Sequence, residues 1–208
     1  MSARSAPGPL RACRRSRTLV PVIPLVMVRH DLEGIPELPV PAGYRIRTFV
    51  PGDEAAWARV ETAAGEFTGE AQALDRFTSE FGPHLAEMEE RCLLLESGQD
   101  GIVGTATAWR NPGFRGSDHG RLHWVAVAPS HQCRGLGRLL VVRALLLMRR
   151  WHERAYLTTQ TSSWIAVHLY LDLGFVPFLG VPEQEEGWAL LRREAPHPLL
   201  GLPPYPRQ

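Results

Sequence analysis

Cysteine is scarce in this chain: its 208 residues hold three, Cys13, Cys92 and Cys133, widely separated and odd in number. That spacing excludes a paired metal-ligand motif and a disulfide framework, and it favours a reducing compartment, the cytoplasm. Charge of one sign is lacking as well. Lys and Arg number 23 against 22 Asp and Glu, a formal net charge of +1, so there is no basic field for nucleic acid and no acidic tail. Neither a nucleic-acid nor a membrane partner is expected, while a homodimer is left open. The apolar stretch 18–28 is interrupted by Pro21 and Pro24, and no small-x-small cleavage site follows it. Both features argue against a secretory signal. Internal repeats are absent.

The remainder is ordinary globular composition, 44% hydrophobic and 22% charged, enough for one full core and making no demand for a second domain. The two ends differ from the middle. Residues 1–17 carry five arginines and no acid, and residues 194–208 carry five prolines. We expect 1–42 to be a disordered or extended segment, with Met27 a plausible start, 43–193 to be the folded domain and 194–208 to be an extended Pro-rich tail. Neither end is expected to carry chemistry.

The densest signal lies in the middle. His123-Trp124-Val125-Ala126-Val127-Ala128-Pro129 reads as a strand, Gln132-Cys133-Arg134-Gly135-Leu136-Gly137 as a glycine loop, and an apolar run to Trp151 as the helix that the loop opens. Glycines one residue apart let the backbone turn so that unpaired N–H groups at the helix start converge, where the dipole favours negative charge. Such a loop can cradle a pyrophosphate. A dinucleotide fingerprint would need a small residue where Leu140 stands, and a Walker loop would need Gly-Lys-Ser/Thr.

Around this centre the elements follow in order. Residues 44–49 alternate as a strand, Asp53 caps a helix with Trp57, Val60 and Ala64 on one face, and a second helix spans 71–81, ended by Gly82-Pro83. Strands over 91–96 and 102–110 join through a hairpin loop, Ser97 to Gly101. Beyond the central helix, residues 155–161 are a strand by β-branched content, and Ser162-Ser163 begin a helix that ends at Gly174, with Phe175-Val176-Pro177-Phe178 extended. A last strand is expected before residue 193.

Two of these motifs together resemble the GNAT superfamily of N-acyltransferases. The first is the acyl-CoA signature, Arg/Gln-x-x-Gly-x-Gly/Ala. The second is Asn-x-x-Ala-x-x-Leu-Tyr-x-x-x-Gly-Phe, which Ala166, Leu169, Tyr170, Gly174 and Phe175 match in register, with Ser163 where Asn is usual. The resemblance covers residues 44–193, about seven tenths of the chain. It implies an α/β fold, a twisted mixed sheet of about seven strands flanked by about four helices, and direct transfer of an acyl group, acetyl above all, from acetyl-CoA to an amine. By the same resemblance acetyl-CoA is held by Val125, Val127, Gln132, Cys133, Arg134, Gly135, Leu136, Gly137, Arg138, Ser163 and Tyr170. Ser163 is shorter than the usual Asn and makes a weaker contact with the pantetheine arm.

The chemistry needs three things: an amine that loses a proton, a carbonyl oxygen polarised as it turns tetrahedral, and a thiolate that leaves with a proton. The resemblance gives the carbonyl to the Val127 main-chain N–H and the thiolate to Tyr170, whose phenol, of ordinary pKa about 10, is protonated at neutral pH. The strand glutamate that serves many members as base is missing here. Two-residue alternation places His123 on the face of Val125 and Val127, and an imidazole of pKa about 6.5 can accept a proton there. Asp118 and His119 are further candidates for that role, and Glu66 and Glu70 could bind a cationic amine. Cys133 is not read as a nucleophile, since the family reaction forms no acyl-enzyme. No metal is expected. A degenerate module that binds acyl-CoA as a sensor is the competing reading.

Overall fold

A computed structural model of the chain describes residues 21–201 except positions 112, 117 and 181. Seven strands make one sheet: β1 (Pro24–Arg29), β2 (Tyr44–Thr48), β3 (Cys92–Ser97), β4 (Gly101–Asn111), β5 (His119–Val127), β6 (Ala155–Gln160) and β7 (Val176–Phe178). Their order is β2-β3-β4-β5-β6-β1-β7. Only the β5–β6 pair is parallel; the other pairs are antiparallel. The helices are α1 (Glu54–Ala64), α2 (Glu70–Phe81), α3 (Leu85–Arg91), α4 (Leu136–Met148), α5 (Trp164–Asp172) and α6 (Pro182–Glu194). The expected mixed sheet of seven strands is therefore present, with more helices than the four anticipated.

Both faces of the sheet are covered, and the strands show it. In β3, Cys92 and Leu94 belong to the core beneath α1 and α2, whereas Leu93 and Leu95 belong to the core that holds α4. A strand buried on two sides reads as a continuous apolar run. The α1/α2 side is aromatic: Phe49 lies 5.5 Å from Phe77, Trp57 5.2 Å from Phe77, and Phe81 4.9 Å from Trp109, measured between ring centroids. The opposite side is aliphatic, built on Leu139, Leu140, Val142 and Leu145 of α4.

The ends depart from expectation. Residues 24–29, anticipated outside the folded domain, form β1 inside the sheet, paired with β6 from Pro24↔Gln160 to Arg29↔Ala155 and with β7 from Val26↔Phe178 to Val28↔Val176. Met27 is fully buried within that strand. Pro24 is tolerated because it is the strand's first residue. The region expected to hold a last strand is α6, whose Gln184, Gly187, Trp188 and Leu191 are buried at helical spacing. A Cβ on Gly187 would stand 2.7 Å from Leu25 Cδ2, so glycine is what lets α6 rest on β1. Ala195 and Leu200, assigned to an extended tail, are buried in the core, although residues 202–208 of that tail lie outside the described residues. Two local differences complete the picture. After Gly82-Pro83 the chain turns once and enters α3 instead of passing straight to a strand. Asp53 stands at the N-cap of α1, yet its carboxylate accepts from the Val50 N–H at 2.8 Å and from Arg47 at 2.6 Å, not from the helix.

Leu25 is fully buried between β1 and α6. Leu25→Ala should cost about 2–5 kcal/mol, the range for emptying a core leucine site, read as a lower urea midpoint with an unchanged slope.

Candidate functional site

A sheet strand normally pairs along both edges, and β5 does not. It pairs with β4 along its length but with β6 only at Gly120↔Ala155 and Arg121↔Tyr156. Beyond those residues the two strands part. On the β4 side the register shifts between Thr105↔Ala126 and Thr107↔His123, so Trp124 and Val125 together oppose Ala106. This is a bulge, which increases twist and turns a strand aside. Trp124 adopts φ 48°, a left-handed conformation uncommon outside glycine.

The bulge corrects one expectation. The extra residue places His123 and Ala126 on the face of Thr107 and Thr105, toward α1 and α2, while Val127 belongs to the opposite core. His123 therefore does not share a face with Val127 as simple alternation implies. The open edge itself is where expected. The Ala128 N–H donates to Val103 on β4 at 2.8 Å, so by alternation the N–H and carbonyl of Val127 point to the edge that β6 has left. That carbonyl accepts the Gln132 side-chain amide at 2.9 Å, which ties the loop to the strand end.

In the loop a single 3-10 turn, Pro129–His131, is followed by Cys133 at φ 62° and Gly135 at φ 78°, and α4 begins at once. Left-handed residues so close together curl the backbone and aim its amides inward. Arg134 braces the loop from outside, donating to Tyr44 Oη and to the Ser130 carbonyl, both at 2.9 Å. Tyr44 Oη lies 2.9 Å from His131 Nδ1, and His131 Nε2 lies 3.2 Å from Asp100. Arg138 on the first turn of α4 is 3.6 Å from Asp172.

The gap between β5 and β6 opens into a cleft of about 550 Å³. His123, Val125, Ser163 and Tyr170 all line it, so these sequence-predicted residues meet there, while Val127, which ends β5, and residues 132–138 after it are not among the lining residues. Ser163 is at the start of α5, and Tyr170 comes two turns later on the same helix, 8% exposed. The Tyr170 hydroxyl makes no hydrogen bond among the described residues. Burial, together with the carboxylates of Glu66 and Glu61, raises its pKa, so the phenol keeps its proton. Glu66 lines the cleft as expected of an amine ligand; Glu70 does not. Asp118 and His119 are not among its lining residues either, and Asp118 is 3.1 Å from His152.

Two lining carboxylates escaped the sequence reading. Glu80 lies 2.6 Å from His123 Nε2 and accepts from Trp124 Nε1 at 3.2 Å. Burial pulls the His123 pKa down despite that partner, which leaves a neutral ring with Nε2–H donating to Glu80. Glu61 on α1 is 0% exposed, and neither carboxylate oxygen has a hydrogen-bond partner among the described residues. Burial and then the neighbouring Glu66 push its pKa well above the ordinary carboxylate range. A sequence signal existed: Glu61 falls four residues after Trp57 and three before Ala64, on the apolar stripe of its helix.

The two loop glycines should respond differently to valine. Gly135 has φ 78°, where a β-branched residue is strained, whereas a Cβ on Gly137 would meet nothing within 4 Å. Gly135→Val should lose about 1–3 kcal/mol of stability in urea titrations, and Gly137→Val should unfold at the wild-type midpoint.

Comparison with known proteins agrees with this geometry. The family model described as Acetyltransferase (GNAT) family matches residues 56–175. The mycothiol acetyltransferase of Thermomonospora curvata is 31% identical over 185 residues, covering 82% of this chain and 58% of that protein. That of Mycobacterium ulcerans is 32% identical over 191 residues, covering 81% and 58%. The chain spans about half the length of the curated relatives it matches. Among solved structures, a GCN5-related N-acetyltransferase from Sphaerobacter thermophilus has a TM-score of 0.59 at 28% identity, covering 76% of this chain and 49% of that one. The model match, the identity and the parted strands beside a glycine loop agree: this chain belongs to the GNAT family of acetyltransferases.

Proposed function

We propose that the protein transfers an acetyl group from acetyl-CoA directly to a primary amine of a small molecule or peptide. The observation that carries this reading is the unpaired edge of β5, where the Val127 N–H faces the gap that β6 leaves. A thioester in that gap would place its carbonyl oxygen on the amide, and the amide dipole would stabilise negative charge as the carbon becomes tetrahedral. The amides of residues 133–139 would hold the pyrophosphate at the start of α4, with Arg138 a second contact. Tyr170 supplies the remaining group: a protonated phenol in the same cleft donates to the departing thiolate. The amine would arrive from the α1/α2 side, where Glu66 stands. The relatives' name, mycothiol acetyltransferase, supports acetyl as the group transferred.

Calorimetry should show acetyl-CoA binding to the wild type and a loss of at least about tenfold in affinity in Gly137→Val, whose side chain would enter the space the pyrophosphate needs. Tyr170→Phe should keep the affinity and lose about 10²-fold in the chemical step, the usual scale for a general acid. Equal loss of binding and rate would make Tyr170 structural. Tight binding with no transfer to any amine would favour the sensor module instead, a reading that Ser163 in place of Asn keeps in view.

A further inference from the structure

Of the three carboxylates in the cleft, two are accounted for. Glu80 is occupied by His123 and Trp124, and Glu66 stands exposed at the mouth. Glu61 is not. It lines the same cavity as Tyr170, it has no exposure, and both of its oxygens lack partners among the described residues. Buried polar groups are nearly always hydrogen-bonded. A carboxyl left without a partner in a cleft wall is therefore a place where a ligand's N–H groups complete the bonding. One turn earlier on the same helix, Trp57 Nε1 is also buried without a partner among the described residues.

We propose that Glu61 binds the acceptor amine and takes its proton during acetyl transfer. The assignment rests on the transfer reaction proposed above and adds the base that the reaction needs. In the step, the neutral amine attacks the thioester carbonyl; the C–N bond forms and the C–S bond breaks. The proton released from nitrogen passes to the Glu61 carboxylate, while Tyr170 gives its own to the thiolate. The products are the amide and free CoA thiol. Proton return from Glu61 to the Tyr170 phenolate through cleft water restores both groups, so the cycle needs no further reactant.

The surroundings raise the proton affinity of Glu61. The titratable groups facing Glu61 are Glu66 from the α1–α2 connection, Tyr170 from α5 and Cys92 from β3. Arg76, Glu80, Arg121 and His123 line the rest of the cavity. Cys92 is a thiol whose pKa burial pushes up to about 11, so it carries no charge. Tyr170 keeps its proton, and Glu66 adds repulsion. Burial first, and then the Glu66 charge, hold Glu61 above an ordinary carboxylate. A merely structural glutamate in this place would tolerate a neutral isostere without loss, since it pairs with nothing.

Glu61→Gln separates the two roles. Acetyl-CoA affinity by calorimetry and the melting temperature should match the wild type. With glucosamine and tyramine as acceptor probes, kcat should fall by about 10²-fold or more. Activity of the wild type should decline as pH falls through the raised pKa of Glu61, because the protonated carboxyl cannot accept, and Glu61→Gln should lack that acid limb. Infrared spectroscopy needs no acceptor. The carbonyl band of protonated Glu61, identified by its absence in the variant, should vanish from the wild-type spectrum as pH rises through the raised pKa, across the range in which the protein stays folded. The assignment is overturned if Glu61→Gln keeps full activity and its acid limb, if His123→Asn loses that limb while Glu61→Gln retains it, or if the band persists across the range. Should the wild type bind acetyl-CoA and acetylate neither probe, the transfer reading fails for those amines, and the Glu61 assignment stands or falls on the infrared band alone.

Discussion

The parting of β5 from β6 is the constraint on which the rest of this structure depends. A buried strand edge with unpaired amides is costly unless something bonds to it, and a sheet that loses pairing in its middle must be held together from elsewhere. In this chain β1 holds it. β6 has two paired residues with β5 but six with β1, and β1 is paired in turn with β7. The N-terminal strand thus fixes the far wall of the cleft. Because α5 follows directly from β6, β1 also positions Ser163 and Tyr170, which it never touches in sequence. The contact of Gly187 with Leu25 seats α6 against β1 from one face and completes that wall.

Across the gap the bulge does the corresponding work. By setting Trp124 and Val125 against Ala106 alone, it turns the side chains of β5 by one position. Val127 remains with the aliphatic core of α4 while its amide faces the gap, and His123 swings to the α1/α2 side, where Glu80 takes it up. That capture has an electrostatic consequence for the whole cleft. Burial alone would raise the Glu80 pKa, but the hydrogen bonds from His123 and Trp124 and the nearby Arg121 guanidinium hold it down, so it stays ionised. Glu61 has no hydrogen-bond partner among the described residues, so burial and then the Glu66 charge raise its pKa unopposed. Two carboxylates in one cavity are driven apart in proton affinity by their partners, the pattern that lets a single site hold an acid form and a base form together.

What the sequence disclosed, and what it hid, follows from the same physics. The glycine loop was legible because a left-handed backbone at Gly135 and an open approach at Gly137 call for one residue type, whatever surrounds them. The motif ending in Tyr170-Leu171-Asp172-Leu173-Gly174-Phe175 was legible for a similar reason: Gly174, at φ 84°, ends the helix. The face of His123 was misread because alternation with period two holds only in an unbroken ladder, and a bulge leaves little trace in residue types. β1 was hidden by its two neighbouring prolines, which weigh against a strand in general but not at its first residue. α6 was hidden by Gly187, a poor helix former retained for close approach to Leu25. Glu61 could have been seen, since a charge on an apolar helix stripe is the kind of local conflict that marks functional sites.

These differences divide the site into two halves of unlike character. In the proposed function the acetyl-CoA half would be made of backbone: the Val127 amide, the loop amides and the dipole of α4. Backbone groups are common to every residue, so what must be retained in sequence is only the glycine and spacing that aim them, and those suffice to reveal a family. The proposed acceptor half would be made of side chains on α1, the α1–α2 connection, α2 and β5, among them Glu61, Glu66, Arg76 and Arg121, whose identity sets charge and shape but whose spacing follows no rule. A fold that delegates its shared chemistry to the main chain leaves these side chains free to vary, which is why cofactor use can be read from a short motif whereas the acceptor must be argued from the charges that line the cleft.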